Sequence, residues 1–191
     1  GRIWKLSAID NPDLEDFLET SVKQLWEKIL SESQVNWPGS SLETELPRSL
    51  QTLSSSDFGF HNSLQKTDGN LCFIDHEYFG WDDPVKLMAD FLWHPAMDLN
   101  GGHKKRWLQG TFKIFDEDPD LQARFRAAWP LYGIRWVLIL LNEFLEDGWQ
   151  KRSHARLGQE QKREDRQGVQ LKKAGSLCDL LRIQSMECPY E

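Results

Sequence analysis

The chain has 191 residues, a net charge of -7 at pH 7, 39% hydrophobic residues and 12% aromatic residues. This length and apolar content are enough to bury one core of ordinary size, which favours a single globular domain. The acidic balance argues against nucleic acid as a partner, because binding to phosphate backbones requires a surplus of Lys and Arg.

The cysteines, the N-terminal residues and the apolar runs indicate in which cellular compartment the protein is expected. Cys72, Cys178 and Cys188 show no paired spacing, which favours a reducing environment without a structural zinc site. The opening GRIWKLSAID lacks the pattern of a signal peptide. The longest apolar run, LYGIRWVLILL, contains Arg135 and is too short to span a bilayer. We therefore expect a soluble cytoplasmic protein that binds no membrane.

The first predicted element is an amphipathic helix. Asn11 followed by Pro12 is typical of a helix start, with a capping side chain and a first-turn proline. Apolar residues then recur every three or four positions: Leu14, Phe17, Leu18, Val22, Leu25, Trp26 and Ile29. This spacing predicts a helix to about Leu30. Residues 31–53 are rich in Ser and contain two Pro, which predicts a loop.

A short β-hairpin follows the loop. Residues 62–66 and 71–74 are strand candidates, and the segment TDGN between them is typical of a tight turn. Cys72, in the second strand, is interpreted as buried apolar filler.

The rest of the chain predicts helices. Asp83 and Pro84 open one that ends at His94-Pro95. Residues 103–115 form another, and Asp118 caps a third. Pro130 is expected to kink or divide that third helix.

The C-terminal part contains a buried helix and a docking helix. Residues 131–145 are nearly all apolar and predict the buried centre of the fold. Residues 151–166 are strongly charged and predict a solvated face. A helical apolar stripe then returns at Leu171, Ala174, Leu177 and Leu181.

Three polar residues surround the predicted hairpin. Asp57 and Asn62 precede it, and Asp75 follows its second strand. Mg²⁺ prefers oxygen ligands and takes few from protein, and a hairpin can bring Asn62 and Asp75 to one end. Asp57, on the preceding loop, is free to accept a substrate proton. An Asp, an Asn five residues later and an Asp after the next strand is the arrangement of kinase catalytic and metal-binding loops.

The segments DFGFHN and LCFIDHEYFGWDDPVKLMADFL resemble the active-site region of the aminoglycoside phosphotransferase and choline kinase-like family, which shares the protein kinase fold. The resemblance covers residues 57–92. It implies that Asp57 is the catalytic base and that Asn62 and Asp75 are Mg²⁺ ligands. It also implies that Asp90 braces the catalytic loop and that ATP is the co-substrate.

Two departures from the family pattern stand out. Ser55 occupies the position where the family has a bracing His, two residues before the catalytic Asp. Before the first helix there is no glycine-rich loop and no strand lysine, since Lys5 is the only lysine there. The resemblance therefore implies that residues 1–191 form a single domain, the second lobe alone, which is inactive without a nucleotide-binding first lobe.

Five further residues are candidates for a role at the site, and three of them keep two interpretations. His61 is interpreted as a loop-bracing donor, because no second His or Cys lies at metal-ligand spacing, and His94 as a helix-end residue. Glu77 faces a substrate or second metal, or else binds a backbone amide. Tyr132 and Trp136 belong to the core, or line an aromatic pocket for a cationic acceptor.

The sequence thus predicts a mainly α (α+β) fold, the helical C-terminal lobe of a protein-kinase-like phosphotransferase with a small β-hairpin at its active site. The expected function is ATP- and Mg²⁺-dependent phosphorylation of a small-molecule hydroxyl on an aminoglycoside, choline or sugar-like acceptor. A first lobe or partner chain would complete the site, and a homodimer stays open. The alternative is a non-catalytic pseudokinase-like binding or dimerisation module. A third interpretation is a helical hydrolase that uses Asp57 and His61 with a metal.

Overall fold

The computed structural model describes residues 2–39, 41–97, 99–154, 162–184 and 188–190, with the backbone alone for 151–154. The chain groups into two compact units. The first unit comprises Gly1–Ser31 and Gly133–Ser185, and the second comprises Glu32–Tyr132 and Met186–Glu191. A single lobe over residues 1–191 stays a prediction.

The described residues are mainly helical, as predicted. Four short strands form two antiparallel pairs: β1 Thr52–Ser54, β2 Ser63–Gln65, β3 Leu71–Phe73 and β4 Gly80–Asp82. The helices are α1 Arg2–Ser7, α2 Pro12–Phe17, α3 Gln24–Asn36, α4 Pro84–Trp93, α5 Gly101–Ile114, α6 Leu121–Leu140, α7 Glu146–His154 and α8 Arg163–Gln184. None of the helices in the described ranges has the length and apolar character needed to cross a bilayer.

The N-terminal helical segment starts where the sequence predicted. Asn11 Oδ1 accepts a hydrogen bond from the Leu14 N–H at 2.9 Å, and Pro12 occupies the first turn. A π-helical segment, Leu18–Lys23, joins α2 to α3. The predicted end near Leu30 is wrong, because α3 continues to Asn36. No Gly or Pro lies between Leu30 and Pro38, so the polar residues after the apolar stripe still extend the helix.

Helix α8 docks in the first unit through Ala174 and Leu181 of its predicted stripe, while Leu171 and Leu177 are half-buried. It packs against the π-helical segment and against the 3₁₀ turn Leu141–Phe144. Ala174 and Leu181 are fully buried, together with Cys178 from the same face. At the start of α8, Arg163 donates to the Phe144 carbonyl and to the Glu146 carboxylate.

The buried thiol of Cys178 gives a first testable prediction. Burial raises the pKa of this thiol to about 11, so it stays protonated at pH 8. The thiolate is the reactive form, and Cys72 in β3 is only half-buried. We expect a disulfide-exchange reagent at pH 8 to label Cys72 in the folded protein and Cys178 only as fast as the chain unfolds. Mass-spectrometric mapping of labelled peptides over time measures both rates, and equal rates would contradict the prediction.

The second unit contains both strand pairs. In the predicted hairpin, Ser63, Leu64 and Gln65 pair with Phe73, Cys72 and Leu71. Its turn is closed by Gly69, which has a φ of 85°, and by the Asn70 N–H donating to Asp68 Oδ1 at 2.9 Å. The hairpin is therefore confirmed. The pairing of β1 with β4 was not predicted.

Helices α4 and α6 form the aromatic core of this unit. Trp93 stacks on Trp129 with ring centroids 4.3 Å apart and donates from Nε1 to the Trp129 carbonyl at 2.9 Å. Helix α4 begins and ends as predicted. The Asp83 carboxylate caps its first turn by accepting a hydrogen bond from the Val85 N–H. Helix α6 runs as one element through Pro130, so the proline does not divide it.

A buried arginine ties the start of α4 to α6. Arg124 bonds Asp118 with two N–H groups, at 3.0 and 2.7 Å. It also bonds Asp83, the cap of α4, at 3.1 and 3.2 Å. Burial alone would lower the pKa of this guanidinium, but the bonds to Asp118 and Asp83 outweigh it and raise the pKa above its usual value. The bridge fixes α4, and with it the helix end that carries His94.

Candidate active site

Contacts from α4 hold the loop before the hairpin in place. Ser54 and Ser55 are buried, and Ser56 takes a left-handed conformation with a φ of 61°. Lys86 Nζ, on α4, donates to Ser56 Oγ at 2.7 Å and to Asp82 Oδ2 at 2.8 Å. A non-glycine residue with positive φ next to the candidate catalytic residue is backbone strain of the kind that clusters at functional sites.

The carboxylate of Asp57 is the centre of a hydrogen-bonded group. His61 Nε2 lies 3.1 Å and His94 Nε2 lies 3.4 Å from its Oδ1. The Asn62 carboxamide donates to the Asp57 main-chain carbonyl at 3.0 Å and to Oδ2 at 3.3 Å. The Asp57 side chain nevertheless keeps 42% of its surface exposed, so a ligand can reach it.

These contacts set the charge of Asp57. The hydrogen bond with His94 lowers its pKa most, partial burial opposes this, and the bond with His61 lowers it further. The result is a pKa of about 2, below the ordinary value of 3.8. Asp57 is therefore a carboxylate throughout the neutral range, and it is a weak proton acceptor that orients a donor well.

Asn62 and Asp75 flank the open end of the hairpin, one just before β2 and the other two residues after the end of β3. The Ile74 N–H donates to the Asn62 carbonyl at 2.9 Å, which continues the β2–β3 ladder by one step. Asp75 follows directly and takes a left-handed φ of 62°, and its side chain is exposed. The predicted arrangement of these two residues around one hairpin end is thus present in the backbone.

Asp90 reaches the loop indirectly. Its buried carboxylate lies 3.9 Å from Lys86 Nζ, and Lys86 in turn bonds Ser56. Lys86 is a residue that sequence reasoning missed. The sequence signal for Lys86 was its position four residues after Asp82 and four residues before Asp90, which places a cation between two carboxylates.

His94 is the second residue that sequence reasoning missed as part of the site. It is the helix-end residue of α4, as predicted, but it also lies against His61 with ring centroids 3.9 Å apart and planes 15° apart. The prediction that no second His or Cys lies at metal-ligand spacing from His61 is wrong for the folded chain, because the potential ligand atoms of Asp57, His61 and His94 lie within 4.8 Å of one another. No local spacing could reveal the pair, because α4 and the hairpin separate the two residues.

The described contacts do not link the three candidate substrate residues to Asp57 and its hydrogen-bonding partners. Glu77 is exposed on the segment before β4. Tyr132 is half-buried, and Trp136 is buried with 7% of its surface exposed. The two aromatic residues fall in different units, and their role in an acceptor pocket stays a prediction.

The donor set at the hairpin end fits Mg²⁺. Because Asn62 uses its amide nitrogen toward Asp57, its Oδ1 is left for another partner. The exposed Asp75 carboxylate supplies a second oxygen ligand. Mg²⁺ prefers oxygen ligands and takes only one or two of them from protein in phosphoryl-transfer sites, so the chemistry of these two side chains suits it.

The absence of a side chain at Gly59 leaves room for the His61 ring beside Asp57. This close packing gives a second testable prediction. A Cβ at this position would lie 2.7 Å from two atoms of the His61 ring and 2.6 Å from Met97 Sδ. Its φ of 173° suits any residue, so the obstacle is crowding alone. We expect Gly59→Ala to displace the His61 ring from Asp57 and to cost about 1–3 kcal/mol of unfolding free energy.

The matched control is Gly110→Ala on α5, where a Cβ meets open space. We expect that change to be stabilising by about 0.5–1 kcal/mol, as for an exposed helical glycine. Urea denaturation measures both effects, and the His61 ring resonances report its displacement. An unshifted His61 spectrum in Gly59→Ala would contradict the account.

Comparisons with known proteins return no match, whether with protein-family models, with curated proteins or with solved structures.

Proposed function

We propose that this chain is the helical lobe of an ATP- and Mg²⁺-dependent phosphotransferase that acts on a small-molecule hydroxyl. The observation that carries the proposal is the pair of hydrogen bonds that the Asn62 carboxamide donates to Asp57, one to its main-chain carbonyl and one to its carboxylate. It ties the residue that would orient the acceptor to a residue that would bind the metal. Phosphoryl transfer depends on this kind of positioning, because the protein contributes little covalent chemistry.

Each residue has a role in this proposal. Asp57, ionised and partly exposed, accepts a hydrogen bond from the acceptor hydroxyl and aligns its oxygen with the phosphate. Asn62 and Asp75 would hold Mg²⁺, which would neutralise the negative charge of the phosphate groups. Lys86, with Asp90 beside it, holds the strained loop residue Ser56 in place.

A nucleotide-binding lobe or partner chain completes the proposed enzyme. The glycine-rich loop and the strand lysine that clamp ATP phosphates in kinase-like enzymes do not occur in this sequence before α2. We expect the chain on its own to bind metal and nucleotide weakly and to turn over little or no substrate. The acceptor class includes aminoglycosides, choline-like alcohols and sugars.

The proposal is tested by metal-dependent nucleotide binding to the chain itself. In an isotope-labelled sample with ATP, Mn²⁺ replaces Mg²⁺ and broadens the resonances of nearby residues. We expect broadening centred on Asn62 and Asp75, and its loss in Asp75→Asn. Asp116→Asn, an exposed carboxylate elsewhere in the unit, is the matched control. Broadening that is uniform, or equal in both variants, would contradict the proposal.

A non-catalytic binding module is the second candidate, and one observation favours it. The two strand pairs and their connecting segments expose many large apolar side chains. They are Leu53, Phe60, Leu64, Leu71, Ile74, Tyr78, Phe79 and Trp81. Exposed apolar groups in this number are typical of surfaces that contact another protein. A stable dimer in sedimentation that Leu64→Lys dissociates, without nucleotide binding, would favour this candidate over the enzyme.

A further inference from the structure

Two imidazoles converge on one oxygen of Asp57, which invites two different interpretations. The potential ligand atoms of Asp57, His61 and His94 all lie within 4.8 Å of one another, a spacing that could hold a metal ion. Two imidazoles and one carboxylate would suit a transition metal better than Mg²⁺. The alternative is a carboxylate that accepts two N–H hydrogen bonds. The hydrogen-bonding state of the His94 ring decides between them.

The main chain determines that state. The Ala96 N–H donates to Nδ1 of His94 at 3.1 Å. A ring nitrogen that accepts a hydrogen bond carries no proton, so the proton of the neutral ring lies on Nε2. Nε2 is the atom that faces Asp57 Oδ1 at 3.4 Å. His94 therefore presents an N–H donor to Asp57, and a backbone amide that cannot change its own state fixes this tautomer.

The same contact argues against a metal centre at these three residues. A metal would need the lone pair of Nε2, and a metal-binding imidazole donates its other N–H to an acceptor. At His94 the other nitrogen receives a hydrogen bond instead. A metal at Nε2 would force the Nδ1 proton against the Ala96 N–H.

We infer that His94 is a positioning residue for Asp57, and this inference rests on the proposed function. His61 and His94 both face Oδ1, which leaves that oxygen no further acceptor capacity. Within the part of the chain that the structure describes, Oδ2 accepts the Asn62 amide alone, at 3.3 Å. The remaining lone pair of Oδ2 is the one directed to the acceptor hydroxyl. His94 thereby supports Asp57 from the end of α4.

Long-range ¹H–¹⁵N spectra of the chain at neutral pH test the inference without any turnover. We expect His94 to show a protonated Nε2 and an unprotonated Nδ1, with no change on adding one equivalent of Zn²⁺. His103, exposed at the start of α5, serves as the internal control and should show no such fixed tautomer. A protonated Nδ1, or a Zn²⁺-induced shift at His94 Nε2, would overturn the inference in favour of a metal centre.

Two variants separate positioning from general stability. His94→Gln keeps an N–H donor at the end of the side chain, and His94→Leu removes it. We expect the carboxyl carbon resonance of Asp57 to shift in His94→Leu and to stay close to its original position in His94→Gln. Equal spectra in the two variants would contradict the role. If the His94 tautomer is as expected but Mn²⁺–nucleotide broadening is absent, the proposed function fails while the contact between His94 and Asp57 stands.

Discussion

Replacing Arg124 by Met is expected to lower the free energy of unfolding by about 3–5 kcal/mol, the range for removing one partner of a buried ion pair. The Arg124 side chain is only 6% exposed, and that of Asp118 is 5% exposed. The substitution leaves two carboxylates, Asp118 and Asp83, without their shared cation. Because Asp83 also caps α4, the start of that helix loses support as well.

Urea denaturation of Arg124→Met beside Arg106→Met measures this loss. Arg106 is exposed on α5 and controls for the removal of one positive charge. The additional change Asp118→Leu should recover part of the loss, because it removes a buried charge that has no partner. A loss of less than about 1 kcal/mol in Arg124→Met, the level of an exposed pair, would contradict the bridge.

Replacing Asp57 by Asn is expected to lower turnover by about 10²-fold, the scale for misplacing a reacting group. The carboxamide has nearly the same shape, but it lacks the charge that accepts the bonds from His61, His94 and the acceptor hydroxyl. We expect the affinity for the Mg²⁺ nucleotide to stay within a few-fold of the unchanged protein, as judged from the modest ground-state role of this residue.

The assay for this change measures ADP release with an acceptor panel, in a preparation that includes a nucleotide-binding lobe. Asp116→Asn is again the control. Undiminished turnover in Asp57→Asn would remove Asp57 from the mechanism. An equal loss in the control variant would point to a general effect of charge on the fold.

Features with local signals were predicted well. The hairpin follows from the turn TDGN, in which Gly69 takes the positive φ that such turns need. The start of α4 follows from Asp83 and Pro84, whose capping roles depend only on the next few residues. Asn62 and Asp75 lie at the two strand ends of this hairpin, and the site roles of Asp57, Asn62 and Asp75 stay a prediction.

Features that depend on distant residues were not predicted. Arg124 meets Asp83 across 41 positions of sequence, and Lys86 meets Ser56 across 30. The run Ser54, Ser55 and Ser56 did not predict β1, because the strand that pairs with β1 is β4, which lies beyond the hairpin in the sequence. His94 was interpreted as a helix end alone. Its second contact depends on how α4 folds back toward Asp57, and no spacing rule encodes that.

The central claim is that Asn62 and Asp75 hold a metal while Asp57 orients the acceptor. A crystal structure of the chain with Mg²⁺ and a non-hydrolysable ATP analogue tests it most directly. The account predicts a Mg²⁺ ion bound to Asn62 Oδ1 and the Asp75 carboxylate, with Asp57 Oδ2 facing the terminal phosphate. A nucleotide bound elsewhere, or a metal bound by His61 and His94, would contradict it.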